Sequence, residues 1–311
     1  MRDTMNSPWA EKYRPSLIKD CVLPEKLKSR FENFVQNNDF PNLLLSGSAG
    51  TGKTTLAKAL CNELGYDTKV INASLDRGMD TLRNDIMGYV STYSMEGSKK
   101  VVILDEADNL TGQVQGALRN FMEEFSGTSG FILTCNYKNK IIDPLHSRCS
   151  VIEFQIDKSE RKQLLIEFYQ RISFILEQEN IKYDKKSVLA FINKHFPDNR
   201  KILNELQSYS SFGIIDEGIL SHKGNVDISQ LSKILSDKDF SKAQVWVKEN
   251  SEIEISSIFR KIFDNMESVV DKSAVPSLIM ILADYQDKSS RVIDQEINLL
   301  ACFTEIMSEC V

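Results

Sequence analysis

At 311 residues the chain is long for a single core, and its 41% hydrophobic and 26% charged content is that of a globular protein built from two or three domains. No apolar run approaches the ~18 residues of a membrane span and the start is too polar for a secretory signal, so a soluble, cytoplasmic chain without membrane contact is expected. A net charge of −6, from 38 basic and 44 acidic side chains, excludes a broad electrostatic footprint on nucleic acid, and any DNA contact then needs a local patch or helix N-termini.

Residues 1–10 are polar. Glu11-Lys12-Tyr13-Arg14-Pro15 and Cys21-Val22-Leu23-Pro24 each end in a proline, which favours extended backbone before it. They read either as a strap over the core or, through Tyr13 and Val22, as an apolar wall for a nucleobase. Leu27, Phe31, Phe34 and Val35 recur at helical spacing and predict a helix over residues 24–37.

Leu43-Leu44-Leu45 then runs into Gly47-Ser48-Ala49-Gly50-Thr51-Gly52-Lys53-Thr54-Thr55 and on into Leu56-Ala57-Lys58-Ala59-Leu60. Strand, glycine loop and helix are the context that makes a Gly-x-x-x-x-Gly-Lys-Thr match a P-loop. Glycines let successive N–H groups turn inward around a phosphate chain, and the helix starting at Lys53 adds its positive end. Lys53 is expected to reach the β and γ phosphates, and Thr54 to hold Mg²⁺. Nucleoside triphosphate binding follows.

Residues 69–72 predict a short strand and residues 80–93 a helix with Leu82, Ile86, Val90 and Tyr93 on one face. Val101-Val102-Ile103-Leu104 is a buried strand that delivers Asp105-Glu106-Ala107-Asp108 to the carboxyl edge where open α/β sheets hold ligands. Downstream of a P-loop, Asp105 takes the Mg²⁺-holding role and Glu106 is placed to polarise the attacking water. A helix over 114–125 and a strand over 131–134 follow, the latter ending at Asn136, read as a γ-phosphate sensor or as a turn cap. Asp143-Pro144-Leu145 leads to Ser147-Arg148-Cys149 and a strand over 151–154. Strands alternating with helices through residue 156 predict a doubly wound parallel sheet.

After Asp157 the strand signals stop. Ser159 is expected to cap a helix striped by Leu164, Leu165, Phe168, Ile172, Ile175 and Leu176, followed by helices over 185–195 and 200–212. Asp198 is the expected N-cap of the last. Arg200 in its first turn opposes the helix dipole unless an anion waits there, which points to a phosphate. Gly224-Asn225 reads as a linker. Beyond it, Ile255, Ile258, Phe259, Ile262, Phe263, Met266 and Val270 form one apolar face, and Ile293, Ile297, Leu300, Phe303 and Met307 another. Such stripes are either core or a self-association surface. The six cysteines contain no Cys-x-x-Cys pair, against zinc and against a disulfide framework.

The order of P-loop, Asp-Glu-Ala-Asp, Thr-Cys-Asn, Ser-Arg-Cys and Phe-Pro-Asp-Asn-Arg-Lys resembles AAA+ clamp-loader ATPases. Glu-Lys-Tyr-Arg-Pro, Asn72-Ala73-Ser74 with Arg77-Gly78, and Gln115-Gly116-Ala117-Leu118-Arg119 read like replication factor C small subunits. Phe196 through Ser211, the Glu123-Glu124 region and the short chain look closer to the clamp-loader large subunit of T-even-type bacteriophages. The likeness carries specific motifs from residue 8 to about residue 215.

That resemblance implies an α/β AAA+ core over residues 1–156, an all-α lid over 157–224 and an all-α collar over 225–311, the collars joining copies into a five-membered ring with ATP between neighbours. Lys53, Thr54, Asp105, Glu106, Asn136 and Arg200 would act in cis, and Arg148 on the neighbour's site. Gly50, Thr51, Gly52 and Thr55 complete the phosphate loop, with Tyr13, Val22 and the backbone around Lys12, Glu11 included, at the adenine side. Arg83, Gln115 and Arg119 match positions that face DNA or relay to it. The implied partners are ATP, Mg²⁺, a sliding clamp, a small accessory subunit and primer–template DNA, in a host bacterial cytoplasm if the chain is phage-encoded. Two departures stand out: Ser48-Ala49 replaces a proline pair, and Asn120 a second arginine. A helicase or other AAA+ DNA-remodelling subunit is the alternative, disfavoured by the absence of a second RecA-like half. A non-catalytic scaffold is disfavoured by Glu106 and Arg148.

Overall fold

The structure is a computed structural model that describes residues 7–74, 79–92, 99–220, 228–251, 253, 255–289 and 291–310, without the side chains of 79–83 and 228–229. It divides into two compact units, Met1–Ile219 and Leu220–Val311.

In the first unit the strands are β1 (Leu43–Ser46), β2 (Asp67–Asn72), β3 (Lys100–Asp105), β4 (Ser129–Cys135) and β5 (Ser150–Glu153), all parallel in the order β2-β3-β4-β1-β5. β1, β3 and β4 are buried along almost their whole length, as strands covered on both faces must be. Their side chains alternate between two cores. Leu43, Leu45, Val101, Ile103 and Ile132 pack one face, while Leu44, Val102, Leu104, Phe131 and Leu133 pack the other. The first face is covered by α2 (Glu25–Gln36), which follows the short α1 (Trp9–Lys12), and by α3 (Lys53–Glu63). The second is covered by α4 (Met79–Val90) and α5 (Gly112–Glu124), with α6 (Asp143–His146) before β5. The register pairs Asn72 with Asp105 and Ser46 with Cys135, so the polar ends of the strands emerge along one edge. Each expected core element is present, and its ends shift by a few residues at most. Arg77 and Gly78 lie outside the described residues.

Helices α7 (Arg161–Gln178), α8 (Lys185–His195) and α9 (Asn199–Ser210) complete this unit. Two expectations are corrected. Strand structure does not stop at Asp157, because β6 (Lys182–Tyr183) pairs in parallel with β7 (Ile214–Ile215). Two residues per strand leave no periodicity to read. Nor does Ser159 cap α7, whose N-cap is Glu160 without a side-chain bond. Asp198 does cap α9, accepting from Lys201 N at 3.0 Å.

The second unit is helical: α10 (Ile228–Ser236), α11 (Phe240–Glu249), α12 (Ile255–Asp264), α13 (Met266–Val269), α14 (Val275–Ser289) and α15 (Gln295–Glu309). Its core gathers Trp246, Ile258, Phe259, Ile262, Leu278, Phe303 and Met307. Most of both apolar stripes is therefore core. Phe263 is 39% exposed; Ile293, 103% exposed, precedes α15, which Asp294 caps; and Ile297, 67% exposed, lies in α15 but off the face that buries Asn298, Leu299, Cys302, Phe303 and Ile306. Gly224-Asn225 lies outside the described residues.

Candidate active site

Glycine conformation builds the phosphate loop. Gly50 and Gly52 have φ of 74° and 90°, a left-handed backbone that L side chains adopt only at a cost. Gly52 is the N-cap from which α3 starts, so the first N–H groups of that helix face the loop. Thr51 Oγ1 donates to Ser48 O at 2.9 Å and fastens the Ser48-Ala49 segment that lacks prolines. Gly47 has no room for a side chain, since an added Cβ would stand 2.8 Å from Phe154 Cβ.

Lys53 is 7% exposed, and its Nζ donates to Gly47 O at 2.7 Å, Ser48 O at 2.8 Å and Asn136 Oδ1 at 2.9 Å. Burial pulls its pKa below the ordinary lysine value, against the raising charges of Cys135, Asp105 and Asp108. Thr54 Oγ1 donates to Asp105 Oδ1 at 2.6 Å, and Thr134 Oγ1 donates to the same oxygen at 2.6 Å. The Thr134 hydroxyl also accepts from Glu106 N at 3.1 Å, tying the two adjacent carboxylate residues to one buried group. Glu106 itself has φ 57°, a sparsely populated conformation for a side chain of its size. Asp108 Oδ2 accepts from the backbone N–H of Asn136 and Tyr137, both at 3.1 Å, and so sets the end of β4 from which Asn136 reaches Lys53.

Lys53, Thr54, Asp105, Glu106, Thr134 and Asn136 line one cleft. Tyr13, Val22, Leu23, Phe168 and Leu203 line the same cleft, so the N-terminal segment is both strap and wall. Arg171 Nη2 donates to Tyr13 O at 2.7 Å, while the Tyr13 hydroxyl donates to Glu179 Oε1 at 2.5 Å. Arg200 lines the cleft from the first turn of α9, and its charge is felt at Lys53 and Glu11.

The structure thus brings Tyr13, Val22, Gly50, Thr51, Gly52, Lys53, Thr54, Thr55, Asp105, Glu106, Asn136 and Arg200 into one cleft. Glu11 and Lys12 are not among the residues lining it. Glu11 is bound by Arg14, which holds its carboxyl below the usual range, and Lys12 pairs with Glu179 at 2.6 Å. Arg148 also stands apart, with Nε donating to Glu123 Oε1 at 2.8 Å and Nη1 to Pro144 O at 2.9 Å. Gln115 is buried, its Nε2 donating to Leu110 O at 3.1 Å and Lys140 O at 3.0 Å while its Oε1 accepts from Ile142 N at 2.9 Å. Arg119 forks onto Asn120 Oδ1 at 3.2 and 2.9 Å. The Arg83 side chain lies outside the described residues. Sequence reading passed over Arg14, whose Nη1 donates to Thr55 Oγ1 at 2.9 Å, and also Thr134, Asp108 and Arg171. Arg14, Asp108 and Thr134 stand inside motifs that the sequence displays but that assign them no role, and Arg171 has no local signal.

A P-loop lysine on a strand-end asparagine, beside a threonine on a strand-end aspartate, defines a P-loop nucleoside triphosphatase. The family model for ATPases associated with various cellular activities (AAA) matches residues 43–156, and the lid-domain model of the AAA+ sliding-clamp-loader large subunit matches residues 160–221. The chain is similar to the sliding-clamp-loader large subunit of Escherichia phage RB69, 40% identical over 235 residues, or 74% of this chain and 73% of that protein. With the Enterobacteria phage T4 protein of the same name it is 33% identical over 307 residues, or 96% and 95% of the two chains. With the replication factor C small subunit of Methanothermobacter thermautotrophicus it is 33% identical over 299 residues, or 90% and 91%. The chain belongs to the clamp-loader family of AAA ATPases. Among the described residues no helix is long and apolar enough to cross a membrane.

Proposed function

We propose that the chain is the ATPase motor subunit of a clamp loader, which uses ATP binding and hydrolysis to open a sliding clamp and place it on primer–template DNA. One observation carries the catalytic half of this reading: Lys53 on Asn136 at 2.9 Å and Thr54 on Asp105 at 2.6 Å converge at one sheet edge. The hydroxyl of Thr54 and the carboxylate of Asp105 are hard oxygen donors already in contact, a set that fits Mg²⁺. When bound there, Mg²⁺ supplies charge neutralisation for the phosphoryl oxygens.

The chain's own residues do the rest. Lys53 and the loop N–H groups bind the phosphates, and Asn136 and Arg200 orient the γ-phosphoryl group. The Glu106 carboxylate orients the attacking water and accepts its proton. Arg148, standing outside the cleft of its own chain, serves the site of an adjacent copy, so turnover requires assembly. Copies of the chain assemble through residues 225–311 in a five-membered ring, with a small accessory subunit as partner, while residues 157–224 act as the lid. Arg83, Gln115 and Arg119 couple the core to DNA, through phosphates rather than bases. The complex works in the cytoplasm.

Turnover of ATP by the chain alone, then with clamp, accessory subunit and primed DNA, tests this reading. Weak basal hydrolysis strongly raised by the full mixture is expected. Strand separation without a clamp would favour a helicase and sink the proposal.

A further inference from the structure

Asn199 is the first residue of α9, and its backbone N–H donates to Gly50 O of the phosphate loop at 3.1 Å. Asn199 lines the cleft and, with Val22 and Leu23, also the smaller chamber beside it. Asn199 Oδ1 is buried and has no hydrogen-bond donor. Native folds rarely leave such an atom unpaired, so the missing partner asks for an explanation. Behind the residue lies a small chamber lined by Leu27, Phe154, Ile156, Phe196 and Thr51, and the Thr51 hydroxyl already donates to Ser48 O. The chamber thus leaves Asn199 Oδ1 without a donor, and the residue's other boundary is the cleft.

We propose that Asn199 selects the base of the nucleotide by pairing with the adenine edge that carries the exocyclic amine and N7. This rests on the ATP reading above and deepens it. A carboxamide has an acceptor and a donor side by side, and adenine presents the complementary donor and acceptor along that edge. Guanine presents two acceptors there, so either orientation of the amide leaves its oxygen facing another acceptor. Tyr13 and Val22 supply apolar surface that either purine satisfies equally. Selection therefore falls to Asn199, and its backbone bond to Gly50 makes base recognition part of the contact between α9 and the phosphate loop.

The test is competition binding to the full chain with ATP, GTP, 7-deaza-ATP and inorganic triphosphate. The wild type should prefer ATP to GTP and bind 7-deaza-ATP roughly ten-fold more weakly than ATP, as loss of one half of a bidentate pair implies. Asn199→Leu should bind inorganic triphosphate like the wild type and lose most of both differences. Asn199→Asp, close in size but without the amide donor, should lose the 7-deaza difference. Wild-type ratios in Asn199→Leu, or equal binding of ATP and 7-deaza-ATP by the unaltered chain, would overturn the assignment while leaving the ATPase reading intact. Absence of any binding to the unaltered chain would remove both.

Discussion

Replacing Gly50 by alanine separates two costs that the loop imposes. Its φ of 74° penalises any L side chain by about 1–2 kcal/mol. The added Cβ would also stand 1.8 Å from Asp198 Oδ1 and 3.1 Å from Asp198 Cα, so the residue at the head of α9 has to move. That movement breaks the Asp198 cap on Lys201 N, worth about 1 kcal/mol, and the Asn199 N to Gly50 O bond, worth about 1 kcal/mol. The expected loss is thus about 3–4 kcal/mol. Gly52→Ala is the control: its φ is 90° but its Cβ meets nothing within 4 Å, so only the backbone penalty of about 1–2 kcal/mol applies. Urea unfolding without nucleotide, followed by Trp9 fluorescence in a Trp246→Phe background, reads the first unit alone, because the chain's two tryptophans lie one in each unit. Equal losses for the two alanines, or a Gly50→Ala loss under about 1 kcal/mol, would refute the contact between loop and α9.

Three further outcomes follow from the same cleft. Lys53 has a folded-state pKa below its ordinary value and binds phosphate as a cation. ATP affinity should therefore be full at neutral pH and fall as alkaline pH passes through that lowered pKa, and Lys53→Arg should flatten the curve measured by fluorescent-nucleotide binding. By the same linkage, the unliganded chain should gain stability in that alkaline window, where the unfolded state still holds the proton. Thr134→Val removes the hydroxyl shared by Asp105 and Glu106 N. It should slow stimulated turnover about ten-fold, as loss of a group orienting a metal ligand typically does, with little change in ATP affinity; an unchanged turnover number would deny that role. Arg148→Ala should leave nucleotide binding intact and abolish stimulated hydrolysis, whereas unchanged turnover in the steady-state assay would make Arg148 a surface residue paired with Glu123.

The phosphate loop and the buried strands were legible because their signals are local. Leu43–Ser46 and Lys53–Glu63 follow from an apolar run, two glycines at fixed offsets and a helix start. Thr134, Asp108 and Arg171 were not legible, since each acts across the sheet or from another helix, and Thr134 inside a strand looks like any β-branched filler. Ile293 and Ile297 fitted a helical stripe with Phe303, yet Ile293 precedes the Asp294 cap and Ile297 lies off the face of α15 that is buried. Glu11 and Lys12 sat in a motif that marks the strap, but their side chains find Arg14 and Glu179 instead of the cleft.

What the chain's order of residues determined by itself was the alternation of strand and helix, and hence a parallel sheet whose carboxyl edge collects Lys53, Asp105 and Asn136. Parallel connection through right-handed crossovers leaves little freedom in that arrangement. Tertiary structure alone decided which oxygen each hydroxyl takes, that α9 closes on Gly50 through Asn199, and that Arg148 rests on Glu123 outside its own cleft. Those choices depend on distances between elements far apart in the chain, set by packing to within tenths of an ångström, and no local pattern of residues encodes them.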